Sequence, residues 1–132
     1  MNDLNQKLLE LNEEIVNTFS IISNIKPHSW HMFFDSQYKL LENSLFSFRK
    51  RLNEIDRKIE PHTIIPNQIN DLKMASGKLS IIFATRGMTL TSLNEAQKLL
   101  TNSQTQVSFK FTTLISLLAI VISVYSVTIK ST

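Results

Sequence analysis

The chain has 132 residues, with 14 Lys and Arg against 11 Asp and Glu, and no cysteine. The absence of thiols excludes disulfides and thiolate metal sites and suits a reducing compartment. With Lys110 and Lys130 set aside as flanks of an apolar run, 12 basic residues face 11 acidic ones, a balance that is no nucleic-acid footprint.

Two glycines and three prolines leave little room for sheets with tight turns. The expected class is therefore all-α, with one small domain over residues 1–106 and an apolar segment over 107–130. The first helix is expected over 3–25. Leu4, Leu8, Leu11, Ile15, Phe19, Ile22 and Ile25 line one face, and Asp3 with Gln6 has the form of a capping box. Pro27 ends it, and the short link that follows makes the next helix an antiparallel neighbour.

The second helix, expected over 29–60, carries the clearest pattern. Trp30, Phe34, Tyr38, Leu41, Leu45, Phe48, Leu52, Ile55 and Ile59 recur at steps of three and four, a period no strand produces. Ser29 stands at the N-cap position and Pro61 beyond the C-terminus.

A third helix is expected from Pro66 to Arg86, with Ile69, Leu72, Ala75, Leu79, Ile82 and Phe83 inward. Ala75, Ser76 and Gly77 form a small-residue patch that lets another backbone approach. The run Thr85–Thr91 predicts a break, with Gly87 as a C′ residue and Ser92 with Glu95 capping a fourth helix over 92–106. The rival reading is one uninterrupted helix, because Leu72, Leu79, Leu93, Leu100, Val107 and Leu114 share a heptad register with only Arg86 off-type. Four antiparallel helices bring the basic cluster Arg49, Arg51 and Lys58 toward the apolar end and its lipid headgroups. Three helices put the same cluster at the far end.

Phe111 to Ile129 contains no charge, and 11 of its 19 residues are Leu, Ile, Val or Phe. As a helix it spans about 28 Å, close to the thickness of a bilayer core, and its apolar residues outweigh the scattered Ser and Thr. A single C-terminal membrane anchor is expected, followed by a tail at 131–132. The N-terminus has no secretory signal, and Lys98 and Lys110 precede the span against Lys130 after it. Both features predict a cytosolic N-terminus. Within the span, Thr112, Ser116, Ala119, Ser123 and Ser126 form one small and polar stripe, a candidate surface for self-association or for lining a pore.

Arg57 and His62 match R-x4-H, which resembles the catalytic motif of the HEPN ribonucleases. The resemblance implies that Arg57 stabilises a phosphate and His62 acts as acid or base, with two protomers pairing and no metal. His28 and His31 lack a third ligand nearby, so no metal or cofactor is expected. The primary expectation is a tail-anchored, non-enzymatic membrane protein that contacts lipid, forms a homo-oligomer and holds protein partners through its bundle. The alternatives are a membrane effector similar in economy to holin-like and anti-phage proteins, whose oligomerised anchors permeabilise the bilayer, and a tethered HEPN-like ribonuclease.

Overall fold

Alternating steps of three and four residues place one apolar stripe on each helix, and three such stripes close on one another. A computed structural model describes residues 2–25, 37–63 and 69–130, with the backbone alone for 69–75 and 130. Helix α1 is Asn2–Ser23, α2 is Gln37–Ile59, a 3₁₀ helix covers Glu60–Thr63, and α3 is Ile69–Lys130. Ser29, Trp30, Phe34, Pro27, His28, His31 and Pro66 lie outside the described residues, as do the side chains of Ile69, Leu72 and Ala75.

Polar contacts define the directions of the helices. Thr85 Oγ1 donates to Asn5 Oδ1 at 2.8 Å and Thr89 Oγ1 to the Leu8 carbonyl at 3.4 Å, so α3 runs parallel to α1. Arg51 grips Glu14 from α2 at 2.6 and 2.9 Å. At one end Arg86 holds Asp56, and toward the other Tyr38 OH meets Ser103 Oγ at 2.8 Å. Helix α2 is therefore antiparallel to both neighbours. The short 3₁₀ helix after Ile59 starts the connection that returns the chain to α3.

The core follows the stripes. Every described inward residue expected on α2, from Tyr38 to Ile59, is buried, and Leu8, Leu11, Ile15, Ile22, Ile82 and Leu93 are almost wholly so. Each full burial of such a side chain contributes about 1.5–3 kcal/mol before entropy is counted. Phe48 and Ala96, a large residue and a small one, belong to the same buried core.

Four expectations need correction. First, the predicted break at Thr85–Thr91 is absent, and α3 is one helix from Ile69 to Lys130. Thr85, Thr89 and Thr91 return their hydroxyls to carbonyls four residues back, and Gly87 keeps a negative φ, so nothing forces an exit from the helix. Packing of Ile82, Thr85, Thr89 and Leu93 on the bundle overrides the weak local propensity. Second, Ser92 therefore lies in mid-helix and caps nothing.

Third, Asp3 does not form a capping box with Gln6. Helix α1 already begins at Asn2, so Asp3 pairs with Lys7 at 2.7 Å and Gln6 with Glu10 at 3.0 Å. Fourth, two aromatic residues are one position off phase. Phe19 is 37% exposed while Thr18 is buried, and Phe83 is 49% exposed beside a buried Ile82. Helix α1 also stops at Ser23, where the Ile25 N–H bonds back to the Ile22 carbonyl at 3.2 Å.

Candidate membrane span and polar sites

Helix α3 outlasts its partners. The contacts of Asn5 with Thr85 and Leu8 with Thr89 put the end of α1 near residue 104. Tyr38, at the start of α2, is level with Ser103. Val107 is the last buried residue of α3, and every residue from Thr112 to Ile129 is exposed. This is one helix long and apolar enough to cross a membrane, and none of its apolar window is buried against the rest of the chain. A core helix of a soluble domain would have that surface covered. Lys110 and Lys130 stand about 30 Å apart along the axis, bracketing a hydrocarbon-sized length.

Within this segment the candidate stripe residues Thr112, Ser116, Ala119, Ser123 and Ser126 are all exposed. The hydroxyls of Thr112, Ser116, Ser123 and Ser126 donate to their own helix carbonyls at 2.8–3.0 Å. Their protons thus have partners without water or a second chain. What the stripe offers a neighbour is smallness, which allows a close backbone approach.

The basic candidates are bonded to other helices on the bundle surface or lie away from the apolar segment. Arg49 donates to Gln97 Oε1 at 2.9 Å and lies 3.4 Å from Asn94 Oδ1. The Arg51 guanidinium, hydrogen-bonded to Glu14, holds that carboxyl below the usual carboxylate range, and Glu14 raises Arg51 in return. Lys58 sits on the last turn of α2, near the level of Ala84 on α3 by the Asp56–Arg86 register, about 40 Å along the axis from Phe111. The uninterrupted third helix is what carries Lys58 away from the apolar end.

Arg57 and His62 are both exposed and do not share one helix. Arg57 is on the last turn of α2, and His62 is in the 3₁₀ helix past Pro61, where Thr63 Oγ1 bonds the Glu60 carbonyl at 2.6 Å. An open groove of about 460 Å³ between α2 and α3 is lined by Glu42, Phe46, Arg49, Gln97 and Gln104, among others. Among the described residues, no three His, Cys, Asp or Glu side chains could hold a metal.

Sequence reasoning missed one pair. Arg86, noticed only as the residue out of type in a leucine register, makes two bonds to Asp56 at 2.5 and 2.7 Å with both side chains half-buried. The Asp56 hydrogen bonds push the Arg86 guanidinium up from its ordinary value. The signal was the misfit itself, since a cation on a seam calls for an anion on a facing helix. No family model, curated protein or solved structure matches the chain.

Proposed function

We propose that this chain is a single-pass membrane protein without catalysis of its own. Its three-helix bundle lies on the cytosolic side and holds protein partners at the bilayer, and its span self-associates through the 112–126 stripe. The observation that carries the reading is the apolar stretch of α3 from Thr112 to Ile129, exposed at every residue in the isolated chain and of hydrocarbon length. Leaving such a surface in water is costly at about 25 cal/mol per Å². Lys98 and Lys110 before the span, against Lys130 after it, favour the cytosolic placement of the bundle. The internally bonded hydroxyls support close helix packing over a wet pore. The separation of Arg57 from His62 in solvent supports a structural role over RNA cleavage.

The test is membrane flotation and alkaline extraction of the full chain beside a Leu117→Arg/Val121→Arg variant. The native chain should float and resist extraction. The variant, with two charges near the bilayer centre costing about 2.5–3.5 kcal/mol each, should lose both properties. A native chain recovered in the soluble fraction would end the membrane reading.

A further inference from the structure

The outward side of α3 carries a second regular pattern, facing away from α1 and α2. Counting from Gly77 in alternating steps of four and three reaches Ile81, Ala84, Met88 and Thr91 in the bundle. The same count, unchanged, arrives at Thr112 and runs down the polar stripe to Ser126. Every residue on this line is exposed. Because α3 has no break, the stripe in the span and the outward face of the bundle share one phase on one helix. We propose that a second copy of this chain packs parallel to the first along this whole line, through the bundle as well as the span. The inference rests on the membrane reading above, since two anchors inserted the same way can meet only in parallel.

Four observations support a second copy as the occupant. The line is poor in charge for a solvated face: from Gly77 to Ser126 only Glu95 and Lys98 are charged, with opposite signs one turn apart. The outward face of α2, by contrast, carries Lys39, Lys50 and Arg57 within six positions of the same kind. A neighbouring copy can set its Lys98 against Glu95.

Large apolar side chains also stand on the line in water. Ile81 is 59%, Met88 61% and Phe109 72% exposed. Gly77 occupies the interior of a helix without a positive φ, and a methyl group there would meet nothing within 4 Å. An exposed mid-helix glycine costs about 1 kcal/mol relative to alanine and gives nothing back within one copy. Close approach of a second helix gives it a use.

The size of the contact also fits. The line is about 74 Å long, and a strip one helix wide along it covers roughly 700 Å² per copy, near the roughly 800 Å² per partner of a standard stable interface. A seven-residue repeat stays on one face only for a partner that supercoils with it, and a second α3 has the same repeat.

The cysteine-free chain allows a direct test in membranes. Single cysteines are introduced as Met88→Cys and Asn102→Cys in the bundle and as Ser116→Cys and Ser123→Cys in the span. Controls are Lys50→Cys on α2 and Leu117→Cys on the opposite side of the span. Under mild oxidation all four test positions should give disulfide-linked dimers several-fold above both controls. Adding Gly77→Leu should reduce the Met88→Cys dimer several-fold while circular dichroism shows unchanged helix content.

Crosslinking at Ser116→Cys and Ser123→Cys without Met88→Cys and Asn102→Cys would overturn the inference and leave self-association through the span standing. Crosslinking no higher than the controls at all four positions would overturn both. Chains absent from the membrane fraction would remove the reading on which the inference rests.

Discussion

Gly87 decides between the two ways of reading residues 85–91. As the C′ residue of a helix it would hold a left-handed conformation, and Gly87→Ala would cost about 1–2 kcal/mol. In the structure Gly87 is inside α3 with a helical, negative φ, and a Cβ built on it meets nothing within 4 Å. Alanine there adds no clash and removes backbone freedom from the unfolded chain. The helix-propensity gain is about 0.8–1 kcal/mol, which tertiary context can reduce to about 0.4. A gain near 1 kcal/mol changes the unfolding constant roughly fivefold and raises the midpoint of a bundle this size by about 4–8 °C. The measurement is thermal and urea unfolding of the full chain in detergent micelles, followed at 222 nm, for native and Gly87→Ala proteins side by side. A loss of stability of 1 kcal/mol or more on the alanine substitution would refute an unbroken α3.

Two further predictions concern the polar contacts between helices. The half-buried Arg86–Asp56 pair should show a coupling of about 1–2 kcal/mol in a double-mutant cycle with Arg86→Leu and Asp56→Ala, read by urea unfolding; additive single effects would show that the pair does not join α2 to α3. Glu14, with its carboxyl lowered by Arg51, contributes stability that is present above the ordinary carboxylate range and is lost as pH falls through its lowered folded value. Both side chains are more than 40% exposed, so the deficit of Glu14→Gln at neutral pH should be only about 0.5 kcal/mol, and it should be smaller in acid, below the ordinary carboxylate range. An equal deficit at both pH values would show that the substitution acts through packing and not through charge.

Much of the bundle was legible because a heptad is a strong periodic signal. The seven described face residues of α2 all proved buried, and the C-terminal stretch is a helix long and apolar enough to cross a membrane, as its composition indicated. The errors have a common source. Steps of three and of four are equally helical, so apolarity favoured Phe19 in place of Thr18 and added Phe83 beside Ile82 as an inward position. Strict alternation in the packed helices favoured the neighbour. Threonine can occupy such a position because its methyl faces the core while its hydroxyl returns to the helix, as Thr18 does to the Glu14 carbonyl at 2.9 Å. The same behaviour hid the continuity of α3. A run of Thr, Gly and Met reads as a turn when each residue is taken by its own preference, and as helix once Thr85 and Thr89 are seen on the face packed against α1. The Arg86–Asp56 pair could not be assigned from spacing, because it depends on the register between two helices and its residues are thirty positions apart in sequence.

Continuity of α3 also bears on the proposed membrane role. A flexible joint at Thr85–Thr91 would have left the apolar segment free to turn relative to the bundle. An unbroken helix fixes the angle between them at 100° per residue, from the Asn5–Thr85 contact at one end to Ser126 in the apolar segment. Under the proposed self-association, the bundle therefore determines which side of the apolar segment would face a second copy. Helices α1 and α2 cover the seam side of α3 as far as Val107, so two copies can approach closely in the bundle only from the outward side. That is the side on which the span is smallest. A stripe of serines pointing the other way would lie beneath α1 and α2, where a second bundle could not follow it. The proposed self-association in the bilayer and the proposed packing in the bundle would thus place the same demand on one continuous helix.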